Sequence, residues 1–468
     1  MNDPALLTLT GASAAIRDRQ LSSVELTKSL LTRIEQWQPK LNAFVRLNPE
    51  EALAAASEAD AALARGQVRG PLHGVPLAHK DMYYRAGKLA ECGSKIRRGW
   101  IAPGTATALQ RLGDAGALYL GALHMSEFAY GPTGHNAHLG HGRNPWDTEH
   151  ITGGSSSGSG AAAAARLTPA ALGSDTGGSI RLPAHFCGVT GLKPTANRVS
   201  RANAMPLSFT LDTVGPLARS AEDCGLILQI ISGPDSLDAT THSTKTWDAD
   251  NETRHARDFT VGIPKSFYVD DLAPEVAKAM DEAISTLRSL GCAIREVDLP
   301  DQTLLSAAAQ VIVAPEAASY HAPWLRTRPQ DYSPLTRSRL ENGLGYSAIE
   351  YLEALRWRGP ALEEHLTAID DIDVILAPVS RSAAPRIDET DVGGAPGAEA
   401  VIQAVTRFVR PVNYLGLPAL VVPAGRSPLG LPVGLQLVGR PFGDESLVAL
   451  GSAFQAATDH HKAVPALS

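Results

Sequence analysis

Ser179 sits in LGSDTGGSIRLPAHFCG, which starts at Leu172, directly behind two glycines and a short apolar run. Gly177 and Gly178 let main-chain amides approach a ligand that side chains would block. Ser179 can then attack a carbonyl while neighbouring N–H groups receive the new oxyanion. Asp175 can pin the loop, and Arg181 can anchor it through a rigid two-pronged contact. Gly-Gly-Ser is equally good turn chemistry, so this stretch alone does not decide. A second cluster stands 24 residues upstream, EHITGGSSSGSG, with Ser155 and Ser156 behind Gly153 and Gly154. Glycine–serine runs are ordinary turns or linkers. This one leads into an alanine-rich helix, whose N-terminal amides welcome developing negative charge. The Gly-Lys-Ser/Thr of a phosphate loop does not follow, and the dinucleotide fingerprint is absent.

A serine nucleophile needs a base. None of the 14 histidines makes a recognisable local partner, and no G-x-S-x-G elbow surrounds Ser179. Lys80, in PLHGVPLAHKD, offers another route. An ordinary lysine, with a pKa of about 10.4, leaves only about one molecule in 2500 neutral at pH 7. Burial, with hydroxyl rather than carboxylate partners, lowers that pKa. An apolar strand is where a surface lysine is least expected. The alternatives are an edge-strand lysine or an ion pair with Asp81, and spacing does not choose between them.

These residues need elements to hold them. LSSVELTKSLLTRIEQWQ reads as a helix capped by Ser22 or Ser23, and PEEALAAASEADAALARGQ as a second, stopped by Gly66. From Pro71 the texture changes to a buried strand ending near Lys80, in which Lys80 and His79 face opposite sides. Helix and strand then alternate through TATALQRLGDAGALYLGAL, GSGAAAAARL, VGPLARSAEDCGLILQIISG, FTVGIPKSF and onward. That pattern predicts an α/β fold, a single large domain with a central mixed, twisted β-sheet covered by helices on both faces. Within it fall an N-terminal helical part (1–70), a core (71–235) and a helical and loop region (300–400) shaping the substrate pocket. Ala307 to Leu362 reads as mainly helical, broken by Pro323, Pro329 and Pro334. DSLDATTHSTKTWDADNETRHARD reads as a surface excursion and SRSAAPRIDETDVGGAPGAEA as a mobile loop.

The 468 residues are 44% apolar and 19% charged, with a formal net charge of −7. Without clustered Lys and Arg, nucleic acid is not the expected partner. Cys92, Cys187, Cys224 and Cys292 are scattered as free thiols would be. Neither a secretory signal nor a window of about 18 apolar residues is evident, so a cytoplasmic chain with no membrane partner is expected.

Lys80, Ser155 and Ser179 together resemble the amidase signature family, through PLHGVPLAHKD, RNPWDTEHITGGSSSGSG and ALGSDTGGSIRLPAHFCGVTGLKP. LDTVGPLARSAED, VNYLGLPALVVPAG and GLPVGLQLVG extend the likeness from about Pro71 to Gly439. The resemblance implies a Ser-cisSer-Lys triad: Ser179 as nucleophile, Ser155 in the middle after a cis bond from Gly154, and Lys80 as base. It implies an oxyanion hole from the amides of Thr176, Gly177, Gly178 and Ser179, braced by Ser156, Asp175 and Arg181. No metal or other cofactor is implied. Met82, Tyr83, Met125, Phe128 and Tyr130, with Tyr84, lie in segments that border the acyl pocket in relatives. Trp357 and Arg358 are candidates for its entrance. Leu182 in IRLPA stands where the family's transfer subunit usually carries glutamine, Met82 stands where asparagine is common there, and SFTLDTVGP is more like stand-alone amidases. The expectation is therefore a stand-alone hydrolase of small-molecule amides, with aryl amides, esters and carbamates in range, working without nucleic acid and forming homodimers as relatives do. The alternative is the glutamine amidase subunit of a tRNA-dependent amidotransferase.

Overall fold

The computed structural model describes residues 3–245, 247–248 and 253–467. Eleven strands form one sheet: β1 (Phe44–Leu47), β2 (Pro76–Lys80), β3 (Leu118–Leu123), β4 (Ala170–Asp175), β5 (Thr190–Lys193), β6 (Thr213–Ala218), β7 (Thr260–Pro264), β8 (Ala293–Val297), β9 (Val374–Pro378), β10 (Ala419–Arg426) and β11 (Pro432–Gly439). Their order is β1-β3-β2-β4-β6-β5-β10-β11-β9-β7-β8. β2 runs parallel to both β3 and β4, and β7 runs parallel to both β8 and β9. Between these parallel wings, β6, β5, β10 and β11 pair antiparallel. Helices pack on it, as helix–strand alternation requires.

Local chemistry starts the elements where the residues say it should. Helix α1 (Ser23–Leu41) begins with a reciprocal cap in which Ser22 Oγ accepts the Glu25 N–H and Glu25 accepts the Ser22 N–H. Helix α2 (Pro49–Ala64) opens on a proline, whose missing N–H costs nothing there. β2 and β4 are buried at every residue, as a strand covered on both faces must be. Being parallel neighbours, they end on the same side, with Lys80 last in β2 and Asp175 last in β4. Loops following such strand ends are where an open α/β sheet binds its ligands.

Two short helices complete that corner, α3 (Ser157–Ala164) behind the serine cluster and α4 (Arg181–Cys187) behind Ser179. Gly173 in β4 lies so close to Ser156 that an added Cβ would stand 2.8 Å from its Oγ. Only glycine admits that approach.

The long helix α5 (Gln302–Thr327) corrects one expectation, because it passes through Pro323, and through Pro315, without breaking. An interior proline removes one intrahelical hydrogen bond; here buried Ala314, Glu316, Ala317, Ala318 and His321 hold the turns by packing. The break falls before Pro329, and Pro334 begins the next helix, α6 (Pro334–Gly343). The expected loop after Val379 is also partly built: the Ile151 N–H donates to Pro385 O at 3.1 Å, and Ile387–Thr390 form a helical turn. It is followed by α7 (Ala398–Thr406) and α8 (Arg410–Leu415). Of the polar excursion, residues 246 and 249–252 lie outside the described residues, and the rest includes 3₁₀ turns at Ala239–Thr241 and Ala256–Asp258. All four cysteines are free and buried. Among the described residues no helix is long and apolar enough to cross a membrane.

Candidate active site

Lys80 ends its strand with the side chain fully enclosed. Its ammonium nitrogen lies 2.6 Å from Ser155 Oγ and 2.8 Å from Ser174 Oγ. The ion pair with Asp81 does not form; Asp81 pairs with Arg46 instead. Burial drives the Lys80 pKa down to about 7, with Asp212 and Asp175 opposing part of the shift. At neutral pH a large fraction of Lys80 is therefore a neutral amine able to take a proton. His79 packs beside Tyr119, with ring centroids 6.1 Å apart, and makes no hydrogen bond to Ser155 or Ser179.

Ser155 follows Gly154 through a cis peptide bond. Its carbonyl accepts the Ser126 N–H at 3.1 Å. Ser156 lies between α3 and β4: its Oγ accepts the Ser174 N–H at 3.2 Å and donates to Ser174 O at 3.3 Å. That exchange locks the Ser155 turn to the strand carrying Ser174 and Asp175.

Asp175 organises the loop that carries Ser179. Its carboxylate accepts the N–H groups of Gly178 at 2.8 Å and Ile180 at 3.2 Å, Arg181 Nε at 3.1 Å and Asn413 Nδ2 at 2.8 Å. Burial alone would raise its pKa, but the Arg181 guanidinium, Lys193 and the Asn413 hydrogen bond together outweigh that and hold it well below the usual carboxylate range. Arg181 also reaches Gln436 at 3.0 Å and Val409 O at 2.8 Å, tying the loop to β11 and to the start of α8. Gly178, at φ +114°, turns the chain in a conformation that side chains rarely adopt. Of the four expected oxyanion donors, Gly178 gives its N–H to Asp175 in this structure. No described residue accepts the N–H of Gly177 or Ser179.

Ser179 is 8% exposed and lines a cavity of about 450 Å³, mouth included. Its hydroxyl makes no hydrogen bond with any described residue, so the Lys80–Ser155 half of the expected relay is joined and the Ser155–Ser179 half is not. Thr176, Gly177 and Tyr130 line the same cavity. Met82 does not; it lines a neighbouring cavity with Ser174 and Asp212. Tyr83 is buried and donates to Gly173 O at 2.6 Å, and Met125 is buried in the core. Phe128, at φ +50°, turns into an aromatic cluster with His321, Trp324 and Tyr332. Tyr84 packs tilted against Trp100, its ring centroid 4.8 Å away. Arg358 is spent on Tyr414 O at 2.9 Å, with Trp357 packed on the same tyrosine, and neither reaches the cavity.

Sequence reasoning missed Ser174, Asp212, Asn413, Arg339 and Arg410. Asp212 accepts the Leu207 and Ser208 N–H groups at 2.9 and 3.1 Å and is hydrogen-bonded by Thr176; burial raises its pKa to about 6. Ser174 was the most accessible of these, since it precedes Asp175 and so points to the other face of β4.

Residues 25–448 match the Amidase family. The chain belongs to the amidase family. Like other amidases it is an amide-bond hydrolase. It is 39% identical over 480 residues to a subunit of the glutamyl-tRNA(Gln) amidotransferase of Geobacter metallireducens, covering 97% of this chain and 98% of that one. The solved structure of a vestigial protein complex that reveals the evolutionary origins of an s-triazine catabolic enzyme superposes with a TM-score of 0.90 at 35% identity, covering 99% of this amidase and 100% of that chain. The peptide amidase of Stenotrophomonas maltophilia gives 0.85 at 29% identity, covering 98% of each.

These relatives correct the expectation of a stand-alone amidase working without nucleic acid. The first is by name one part of an enzyme that acts with tRNA, and the second comes from a complex. The physical error lay in reading a net charge of −7 as a statement about partners. Charge summed over one chain describes the isolated chain, not an assembly whose other members carry the phosphate contacts.

Proposed function

We propose that this amidase is the amide-cleaving component of an amidotransferase-type assembly, with Ser179 as nucleophile, Ser155 as proton relay and Lys80 as base. Neutral Lys80 takes a proton from Ser155 as Ser155 takes one from Ser179. Ser179 Oγ bonds to the amide carbon, and the oxyanion is received by the main-chain N–H groups of Gly177 and Ser179, beside Thr176. The C–N bond breaks as the leaving amine takes the proton back, leaving an acyl-enzyme. Water then adds by the same relay, releasing the acid and restoring Ser179. Ser156, Asp175 and Arg181 position these groups. The region 300–400 shapes the substrate cavity in this reading, supplying Ala309, Gln310, Val313 and Arg339.

The observation that carries the chemistry is a fully buried lysine whose partners are two hydroxyls. The likeness to glutamyl-tRNA(Gln) amidotransferase chains supports glutamine as amide donor, a tRNA-linked acceptor and a cytoplasmic setting over a stand-alone enzyme. A second reading, a hydrolase kept in a complex and acting on other amides or carbamates, is favoured by the 0.90 TM-score to the s-triazine-related structure.

The test is glutamine hydrolysis by the purified chain, alone and with the chains encoded beside it and charged tRNA, together with labelling by a fluorophosphonate. Labelling at Ser179 and ammonia release that rises with the partners are expected. Turnover by Ser179→Ala equal to that of the unaltered chain overturns the mechanism. Partner-independent turnover of other amides, with glutamine inert, favours the second reading.

A further inference from the structure

The cavity holding Ser179 carries a charge its expected chemistry does not use. Two arginines, Arg339 from α6 and Arg410 from the start of α8, line it, and no carboxylate does. Arg410 is 7% exposed, yet its guanidinium donates no hydrogen bond to any described residue. Buried polar groups are normally hydrogen-bonded, and a buried charge without a hydrogen bond is a costly exception. One carboxylate, Glu399, forms loose ion pairs with both, 3.8 Å from Arg410 and 3.6 Å from Arg339 and beyond hydrogen-bond length for each, so the two arginines keep a net positive charge between them. Arg339 lies over the Tyr130 ring at 3.7 Å and gives one nitrogen to Tyr130 O at 2.9 Å, leaving its Nε without a hydrogen-bond partner. Burial, then the like charge of Arg339, lowers the Arg410 pKa to about 10, so it stays cationic at neutral pH.

The position of Arg410 gives this charge a purpose. A Cβ added to Gly177 would stand 3.6 Å from Arg410 Cγ, so the arginine stem lies against the loop that carries the nucleophile. A substrate whose amide sits at Ser179 therefore ends within a few atoms of a guanidinium fork, which matches a carboxylate in shape and charge.

We propose that the substrates are short amides whose acyl part bears a carboxylate, taken up by Arg410 with Arg339 beside it. This rests on Ser179 being the nucleophile but not on transfer to tRNA. Glutamine belongs to the class, and so does glutaramate, which has the same chain without the ammonium group. Because no carboxylate lines the cavity, the ammonium group adds nothing to recognition.

The test compares kcat/KM for glutaramate, glutamine and the neutral pentanamide in the unaltered chain and in Arg410→Met. The unaltered chain is expected to prefer glutaramate over pentanamide by about a hundredfold or more, as for a charge-assisted pair made in a desolvated site. Glutaramate should be at least as good as glutamine. Arg410→Met should remove most of that preference, and glutarate binding to Ser179→Ala, measured by calorimetry, should be lost in the double variant. Equal turnover of glutaramate and pentanamide by the unaltered chain overturns the proposal, and this comparison stands even if Arg410→Met fails to fold. A preference for glutamine over glutaramate above about tenfold also overturns it, since that requires an ammonium site. Failure of the function reading is separate: there, Ser179 resists the fluorophosphonate and no amide is cleaved.

Discussion

Lys80 and Lys193 are both last in their strands, both fully enclosed, and both held by burial at a pKa of about 7. They differ in what surrounds the nitrogen. Lys80 faces the hydroxyls of Ser155 and Ser174, whereas Lys193 donates to the carbonyls of Pro194 at 2.8 Å and Leu417 at 2.7 Å. A carbonyl only accepts, so it keeps protons on the amine and can return none. A hydroxyl can give its proton to a neutral amine and draw another from the next group. A lowered pKa thus marks burial; a partner that both donates and accepts marks use.

Replacing each lysine by methionine breaks the comparison most directly. Lys80→Met should lower kcat/KM by about a thousandfold or more, the scale of a lost general base. Lys193→Met should keep activity per folded molecule within about threefold while losing stability, because each carbonyl left unpaired costs about 1–3 kcal/mol. Amide turnover and thermal unfolding of the two variants separate these outcomes. Equal loss of turnover in both would erase the distinction.

The two hydroxyls sharpen it. Ser155→Ala should cost about a hundredfold or more in kcat, since it cuts the path between Lys80 and Ser179. Ser174→Ala leaves that path intact and should cost about tenfold. It should also move the acid limb of the rate profile to lower pH, because Ser174 accepts from the charged form of Lys80. A larger loss in Ser174→Ala than in Ser155→Ala would assign the relay to the wrong serine.

The sheet was legible because its strands are short apolar runs set between helices, and Lys80, Ser155 and Ser179 stood out because their types are unusual in their settings. What was hidden is what the chain brings together from afar. Arg410 reaches the Ser179 cavity from a helix beyond the 300–400 region, and nothing in VRPVNYLG marks its guanidinium as lacking a hydrogen bond. Of the pocket candidates, chosen by nearness in sequence, Tyr130 lines the Ser179 cavity while Met82, Tyr83, Met125 and Phe128 do not. Positive φ at Phe128 and Ala129 turns Phe128 into the His321 cluster and Tyr130 toward Ser179. Proline rules misplaced the end of α5 because packing outweighed a single lost hydrogen bond.

The smallest effect separates the lysines by pH. In the proposed relay only neutral Lys80 serves as base, so kcat/KM should rise with unit slope up to pH about 7 and level above it. Lys193→Met should leave that limb where it is. Stability responds to both lysines. Each binds a proton in the unfolded chain up to its ordinary value of 10.5 but only up to about 7 when folded. Between those values the unfolded chain holds more protons, so folding stability contributed by each lysine rises with pH and is lost as pH falls from 10.5 toward 7. Below the folded value both states are protonated and the contribution is flat. Subtracting the stability–pH curve of Lys193→Met from that of the unaltered chain should therefore leave the slope of one proton across this window, with the rate limb unmoved. A rate limb that shifts with Lys193 would mean that the two amines share one titration, and the carbonyl-capped lysine would then have to be counted among the groups that set the charge of the site.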